Sequence, residues 1–149
     1  MEIKNVEDCF KFRLLRKISP DIEKSRKSLE LADEKLKEAK LTLRINDKIN
    51  FFSWSIVNSY MVMFHSARAL LYKDGIQEKS HFAVYIYLKE KYSDKISIPV
   101  INLLNIYRTE RHEALYGLEF KPTKSEAEQA IKDAEDFFKE IKRALNLGN

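Results

Sequence analysis

The chain has 149 residues, of which 44% are hydrophobic and 34% are charged, a balance typical of globular proteins. A chain of this length is expected to form one domain and to bury roughly two thirds of its unfolded surface, so it needs no disulfide or metal to fold. Its formal charge of +4 is compatible with a polyanionic partner without requiring one, and the single cysteine, Cys9, excludes an internal disulfide.

The first residues carry charges where a signal peptide would need an apolar stretch, which together with the single cysteine indicates a reducing, cytoplasmic setting. The longest apolar run is FAVYIYL, residues 82–88, far shorter than the roughly 18 residues that a membrane span requires. No membrane association is therefore expected. Residues 1–18 are expected to form an arm or a short helix, and residues 19–149 a single helical bundle domain.

The first long helix is predicted from apolar or small residues that recur at alternating spacings of four and three between Ile22 and Leu43. Ser19 is predicted to cap this helix, with Pro20 and Asp21 in its first turn. The second predicted helix, NFFSWSIVNSYMVMFHSARALLYKDG, is apolar nearly all round. It is therefore expected to be the buried centre of the fold and to end at its final glycine.

A third, shorter helix is predicted in EKSHFAVYIYLKEKY, of which residues 82–88 are also rich in strand-forming types. A fourth begins near Ser97, with Pro99 in its first turn, and closes at Gly117. Thr123 and Glu126 have the T-x-x-E spacing of a capping box and predict the start of a last helix. Short connections between long helices favour antiparallel neighbours, so the predicted fold class is an all-α, antiparallel up-and-down bundle of four or five helices.

Two arginines and a histidine crowd into YRTERHEALYG, residues 107–117. On a helix Arg108, His112 and Tyr116 form one ridge, because residues four apart are neighbours, and Arg111 lies beside Arg108. These groups could cleave RNA without a metal: the histidine would move a proton, the arginines would hold a phosphate, and the tyrosine would position the substrate. The alternative is a solvated charged face on which the arginines pair with neighbouring acids.

Arg68 lies within the apolar stretch YMVMFHSARALLY and must find an anionic or carbonyl partner or a water-lined cleft. His65, in the same stretch, is interpreted as a buried or half-buried imidazole bonded to a backbone or hydroxyl group, and His81 as a structural contact near a helix start. The histidines have no nearby acids or cysteine arranged as metal co-ligands, and the three glycines form no phosphate-binding loop. No metal site and no cofactor are predicted.

Two stretches, NSYMVMFHSARALLYKDGIQEKSHFAVYIYLKEKY and YRTERHEALYG, together resemble the HEPN domains (higher eukaryotes and prokaryotes nucleotide-binding), especially small stand-alone prokaryotic ones. The resemblance covers about residues 29–144 and is most specific at residues 60–71, 79–81 and 111–117. It implies a homodimeric helical bundle whose arginine-bearing helices share a cleft. It also implies a nucleotide or RNA ligand, a nucleotidyltransferase partner in a toxin–antitoxin module, and metal-independent ribonuclease activity.

The sequence departs from the family's ribonuclease pattern. In that pattern an arginine is followed by a polar residue, then by four to six other positions, and then by a histidine. Here Arg108 and His112 have three residues between them. In relatives with the R-x-x-A-D-Y form, Arg111 and Tyr116 match, while Leu115 stands in place of the aspartate. The alternative function is therefore a non-catalytic helical interaction module that partners a nucleotidyltransferase.

The site residues expected from the ridge and the resemblance fall into two groups. The catalytic candidates are Arg108, Arg111 and His112, and the nucleotide- or RNA-binding candidates are Arg68, Arg111 and Tyr116.

Overall fold

The structure is a computed structural model that describes residues 2–45 and 52–146. In chain order its elements are α1 (Val6–Lys11), β1 (Leu15–Lys17), α2 (Ile22–Ile45), α3 (Phe52–Asp74), β2 (Ile76–Glu78), α4 (His81–Lys91), α5 (Ile98–Tyr116) and α6 (Lys124–Ala144). The predicted all-α helical bundle is confirmed. No helix in the described ranges is long and apolar enough to cross a membrane.

Helix α3 is the centre of the bundle and packs against α2, α4, α5 and α6. Its apolar residues are buried on several sides, which is what a helix that is apolar nearly all round requires. The helix ends where the sequence predicts, because Gly75 adopts the left-handed φ of +77°. A Cβ at Gly75 would lie 2.7 Å from the backbone oxygen of Ile18, so the chain before α2 also depends on this glycine.

Helices α5 and α6 are framed by the predicted residues. Ser97 and Pro99 begin α5, and α6 begins with a complete capping box between Thr123 and Glu126. Phe137, together with the alanines of α6, is buried against the rest of the bundle. The stretch 82–88, whose composition was compatible with a strand, lies inside α4.

The start of α2 differs from the prediction. The helix begins at Ile22, and the side chain of Asp21 caps it by accepting a hydrogen bond from Lys24 N at 2.9 Å. The backbone N–H of Asp21 donates to Tyr72 O at 2.9 Å, which holds the preceding residues extended against the end of α3. The prediction that Ser19 caps the helix is therefore wrong, because a tertiary contact fixes the chain two residues later.

A small two-stranded sheet was not predicted. Strands β1 and β2 pair antiparallel, with Leu15 opposite Glu78 and Lys17 opposite Ile76. Three residues are too few for an alternating pattern to be recognised in the sequence. The sheet matters for the site because β2 leads directly to α4, whose first turn is capped by the Ser80 hydroxyl accepting from Ala83 N at 3.2 Å.

Candidate functional site

Arg108 and Arg111 lie on the side of α5 that faces the bundle. Leu104, which is fully buried, precedes Arg111 by seven residues, or two helical turns, and so lies on the same side of the helix. The guanidinium carbon of Arg111 is 5.8 Å from the centre of the Tyr60 ring, and that of Arg108 is 5.3 Å from the centre of the Phe82 ring. The two arginines therefore cover aromatic rings of α3 and α4.

Neither arginine forms an ion pair with a carboxylate of residues 2–45 or 52–146. In the part of the chain that the structure describes, the ion pairs involve other residues. Arg108 Nε donates a hydrogen bond to Asn105 Oδ1 at 3.0 Å, whereas the buried Arg111 Nε has no acceptor. The alternative of a solvated face with local ion pairs is therefore wrong for these two residues. A buried donor without an acceptor is costly, so an anion bound here would remove that cost.

Arg108 and Arg111 together are called the arginine cluster, and Tyr60 and His81 lie at its base. The Tyr60 hydroxyl lies 2.7 Å from His81 Nδ1, within hydrogen-bonding distance. The His81 ring also stacks on Phe64, with ring centres 4.0 Å apart and planes inclined by 7°. His81 begins α4, so the interpretation as a contact between helices holds, but this contact lies directly under the predicted phosphate-binding residues.

The cluster keeps both members of this pair neutral. Burial first, and then the charges of Arg111, Arg108 and Arg68, lower the pKa of His81 to about 4. Burial raises the pKa of the Tyr60 hydroxyl, and the two α5 arginines oppose this change only in part. At neutral pH the positive charge at this site therefore belongs to the arginines alone.

Arg68 does find the anionic partner that its apolar surroundings require. Its Nε lies 2.6 Å from Glu78 Oε1 of β2, although the N–H is not directed at that oxygen, and its Nη2 contacts the Tyr72 hydroxyl. The guanidinium also covers the Phe64 and Tyr72 rings at 5.3 and 5.1 Å. Arg68 thus lies next to the cluster, but its charge is balanced within the protein.

His65 is buried, as predicted, but the predicted kind of partner is wrong. The polar contact of its ring is with Arg68, whose Nη1 lies 3.4 Å from His65 Nδ1. Burial first, followed by the nearby Arg68, Lys35 and His81, lowers the pKa of His65 to about 4. His65 is therefore also neutral at physiological pH and lies beneath the cluster rather than in it.

His112 and Tyr116 lie on the exposed side of the ridge. Their ring centres are 5.0 Å apart and their planes are inclined by 46°. Tyr116 is 68% exposed, and His112 is also open to solvent. The structure thus brings Arg108 and Arg111 to the Tyr60–His81 pair and leaves His112 and Tyr116 at the outer edge of the same helix.

Reasoning from individual residues missed Tyr60 and His81 as the base of the cluster. Twenty-one positions separate them, and only the turn from α3 through β2 into α4 brings them together. The available indication was that both fall in the stretches where the resemblance to HEPN domains is most specific. Among the described residues, no group of three or more His, Cys, Asp or Glu side chains is placed to hold a metal ion.

Comparison with known proteins identifies the fold family. The family model described as "HEPN domain" matches residues 25–144, which include every residue of the arginine cluster. A protein of Methanocaldococcus jannaschii named "Putative toxin MJ0605" is 32% identical over 123 residues, covering 78% of this chain and 85% of the relative. The matched region extends over four fifths of the chain, and the chain therefore belongs to the HEPN family.

Proposed function

We propose that this protein binds RNA through Arg108 and Arg111 and cleaves it as a metal-independent, toxin-like ribonuclease. The observation that carries the proposal is the buried Arg111 Nε, which lies beside Arg108 and has no acceptor among the described residues, where no carboxylate pairs with either arginine. A phosphodiester offers anionic oxygens that two guanidinium groups can bind at once. The toxin name of the relative supports a role of this kind.

In the proposed catalytic step, each of the three catalytic candidates on α5 has a role. His112 removes the proton of the 2′-hydroxyl, the 2′-oxygen forms a bond to phosphorus, and the bond to the 5′-oxygen breaks as that oxygen takes up a proton from water. Arg108 and Arg111 stabilise the charge that grows on the non-bridging oxygens. The products are a 2′,3′-cyclic phosphate and a 5′-hydroxyl.

His81 is a poor candidate for the proton carrier although it lies beneath the arginines. An effective general base has a pKa near the working pH, and the pKa of His81 is about 4. Its hydrogen bond to Tyr60 and its stacking on Phe64 instead fix the surface on which the guanidinium groups lie. His112 is the exposed histidine of the ridge and can reach a substrate from solvent.

Arg68 and Tyr116 complete the proposed binding surface. The charge of Arg68 is balanced by Glu78, so it contributes through its remaining N–H groups rather than through net charge. Tyr116 is largely exposed and offers a face on which a base can stack. Both contributions favour single-stranded RNA, whose bases are free to stack.

The proposal includes a homodimer in which the two α5 helices share the cleft. Ile106 is 51% exposed, and Leu118, just after α5, is 99% exposed. Large apolar side chains open to solvent next to a charged site support an interface there. The same surface supports the alternative function, a non-catalytic interaction module that partners a nucleotidyltransferase in a toxin–antitoxin pair.

The test is cleavage of labelled single-stranded RNA in the presence of a chelator. We expect Arg111→Lys and His112→Ala each to reduce the cleavage rate by about 100-fold or more, because loss of a group that stabilises the developing charge and loss of a general base each have an effect of that size. Arg26→Lys is the matched control, since Arg26 is exposed on α2 and forms its ion pairs with Glu23 and Glu30 of the same helix. It should cleave like the parent protein.

Two results would reject the enzyme. One is a parent protein that leaves RNA intact, and the other is an Arg111→Lys variant as active as Arg26→Lys. Solution mass then separates the alternatives, because Leu118→Ser should weaken self-association if this surface is the dimer interface. A protein that is monomeric and inactive alone, yet binds a nucleotidyltransferase, would support the interaction module.

A further inference from the structure

The basic residues of the chain are not evenly distributed. Residues 11–17, KFRLLRK, run from the end of α1 through a turn into β1 and contain four basic residues and no acid. We refer to this segment as the basic turn. The rest of the chain contains 23 basic and 23 acidic residues, so the basic turn accounts for the whole formal charge of +4. It also precedes residue 25, where the match to the HEPN domain begins.

The cations of the basic turn point into solvent without acidic partners. Lys11, Arg13, Arg16 and Lys17 are exposed, and none forms an ion pair with another described residue. Leu15 is buried and anchors β1, whereas Arg16 and Lys17 pair with β2 through the same strand and leave their side chains exposed. Phe12 is 38% exposed, with Lys11 Nζ at 5.6 Å from its ring centre. Charged groups beside an exposed ring form a surface suited to a nucleic acid strand.

Arg13 occupies a backbone position that favours glycine. It follows the end of α1 with a φ of +58°, while Leu14 N donates to Cys9 O at 2.8 Å and Arg13 N donates to Phe10 O at 3.1 Å. This is the helix ending in which glycine is the usual left-handed residue, because a side chain there meets steric resistance. A long cationic side chain at such a position indicates a role that outweighs the local strain.

The basic turn adjoins the arginine cluster. Lys79 N donates a hydrogen bond to Leu14 O at 2.8 Å, and Lys79 precedes His81 by two residues, a distance of at most about 7 Å along the chain. Lys24 adds a cation near the end of α3, with its Nζ 5.3 Å from the Tyr72 ring that Arg68 also covers. Positive groups therefore continue from the cluster to the turn, with Glu78 between them already paired to Arg68.

A ridge on α3 runs from the cluster to the end of the helix, where Ile18 N, next to the basic turn, donates a hydrogen bond to Gly75 O at 2.8 Å. Tyr60, Phe64, Arg68 and Tyr72 are spaced four residues apart and share one side of the helix, over a length of roughly 18 Å. Arg111 covers one end of the ridge, and Lys24 covers the other. This length exceeds that of a single phosphate and matches a strand of several nucleotides.

We propose that the basic turn is a second RNA-binding surface, which holds the phosphodiester backbone of the substrate strand outside the Arg108–Arg111 cluster. The inference rests on the proposed function, since it concerns the same RNA. An anionic membrane is the less suitable partner, because Leu15 is buried and Leu14 is half-buried, so the turn presents no continuous apolar face for insertion.

The experiment measures binding of fluorescent 2′-O-methyl RNA, which lacks the attacking hydroxyl and is not cleaved. A 20-nucleotide strand can reach both surfaces, whereas a trinucleotide can fill only the cluster. Each phosphate contact to a single strand contributes about 0.7 to the slope of log affinity against log salt, or roughly fivefold in affinity at 0.1 M salt. Arg16→Gln/Lys17→Gln should therefore bind the 20-nucleotide strand about 25-fold more weakly and bind the trinucleotide like the parent.

Two further variants separate binding from folding and from net charge. Arg13→Gly removes a cation but suits the left-handed backbone, so its midpoint of thermal unfolding should be unchanged or higher while its affinity for the long strand falls about fivefold. Lys132→Gln/Lys139→Gln lowers the net charge by the same amount as the double variant of the turn, but on the exposed side of α6. It should leave the affinity nearly unchanged.

The outcomes distinguish this inference from the proposed function. If Arg111→Lys weakens binding but the variants of the turn match the parent, the second surface is rejected and the cluster stands. Equal weakening by the α6 control also rejects the second surface, because net charge alone then explains the effect. A parent that binds neither strand rejects both ideas. Binding to vesicles containing phosphatidylserine that the turn variants lose, with RNA affinity unchanged, would overturn the inference in favour of a membrane.

Discussion

Acidification is expected to destabilise the protein through His65, which lies under the arginine cluster. The side chain is 6% exposed, and its pKa of about 4 lies well below the value of about 6.5 for an unfolded histidine. The folded state therefore keeps the ring neutral at pH values where the unfolded chain binds a proton. The contribution of the neutral His65 ring to the free energy of unfolding is fully present above about pH 6.5 and is lost as the pH falls toward 4.

The size of the effect follows from the two pKa values. Between pH 7.5 and pH 5.0, proton binding by the unfolded chain lowers the free energy of unfolding by about 2 kcal/mol through His65 alone. His81 has a similarly lowered pKa but is only half-buried, so solvent screening makes its contribution smaller. A loss of this size is a large fraction of the stability of a small domain.

Urea unfolding followed by circular dichroism at the two pH values measures the effect. His65→Gln should be less stable than the parent at pH 7.5, yet its free energy of unfolding should change by about 2 kcal/mol less between the two pH values. His112→Gln is the control, because it removes an exposed histidine from α5, and it should retain the pH dependence of the parent. The reasoning would be refuted by an equal pH dependence of the parent and His65→Gln.

Three other substitutions test the supports of the fold and the site, each by the free energy of unfolding in urea. Gly75→Ala should lower it by about 2 kcal/mol or more, because the φ of +77° and the crowding of a new Cβ both disfavour a side chain; a neutral change would contradict that backbone. Thr123→Ala should lower it by about 1 kcal/mol through loss of the capping box with Glu126, and a loss below about 0.3 kcal/mol would argue against the cap. Glu78→Gln should lower it by about 2 kcal/mol, since Arg68 would lose the charge that balances it, and an unchanged stability would mean that solvent already screens the pair.

The helices could be predicted largely because their ends are encoded locally. Thr123 and Glu126 form the predicted capping box, and Gly75 ends α3 as expected, since each feature depends on residues a few positions apart. The cap of α2 was misplaced at Ser19 because the position of Asp21 depends on its hydrogen bond to Tyr72, in a different helix. The two short strands escaped prediction for the same reason, since each is specified by its partner rather than by its own pattern.

The sequence by itself determined the helical class of the fold and the side chains of α5 that carry charge. Arg108 and Arg111 were identified from spacing and resemblance, because a helical ridge is a property of one segment. Only the tertiary structure decided what those side chains meet: the Tyr60–His81 pair, and no carboxylate among the described residues. Burial and the surrounding arginines then set the pKa of His81 near 4 and leave His112 as the exposed histidine of the ridge. These properties depend on distances between three helices, which a linear pattern does not contain.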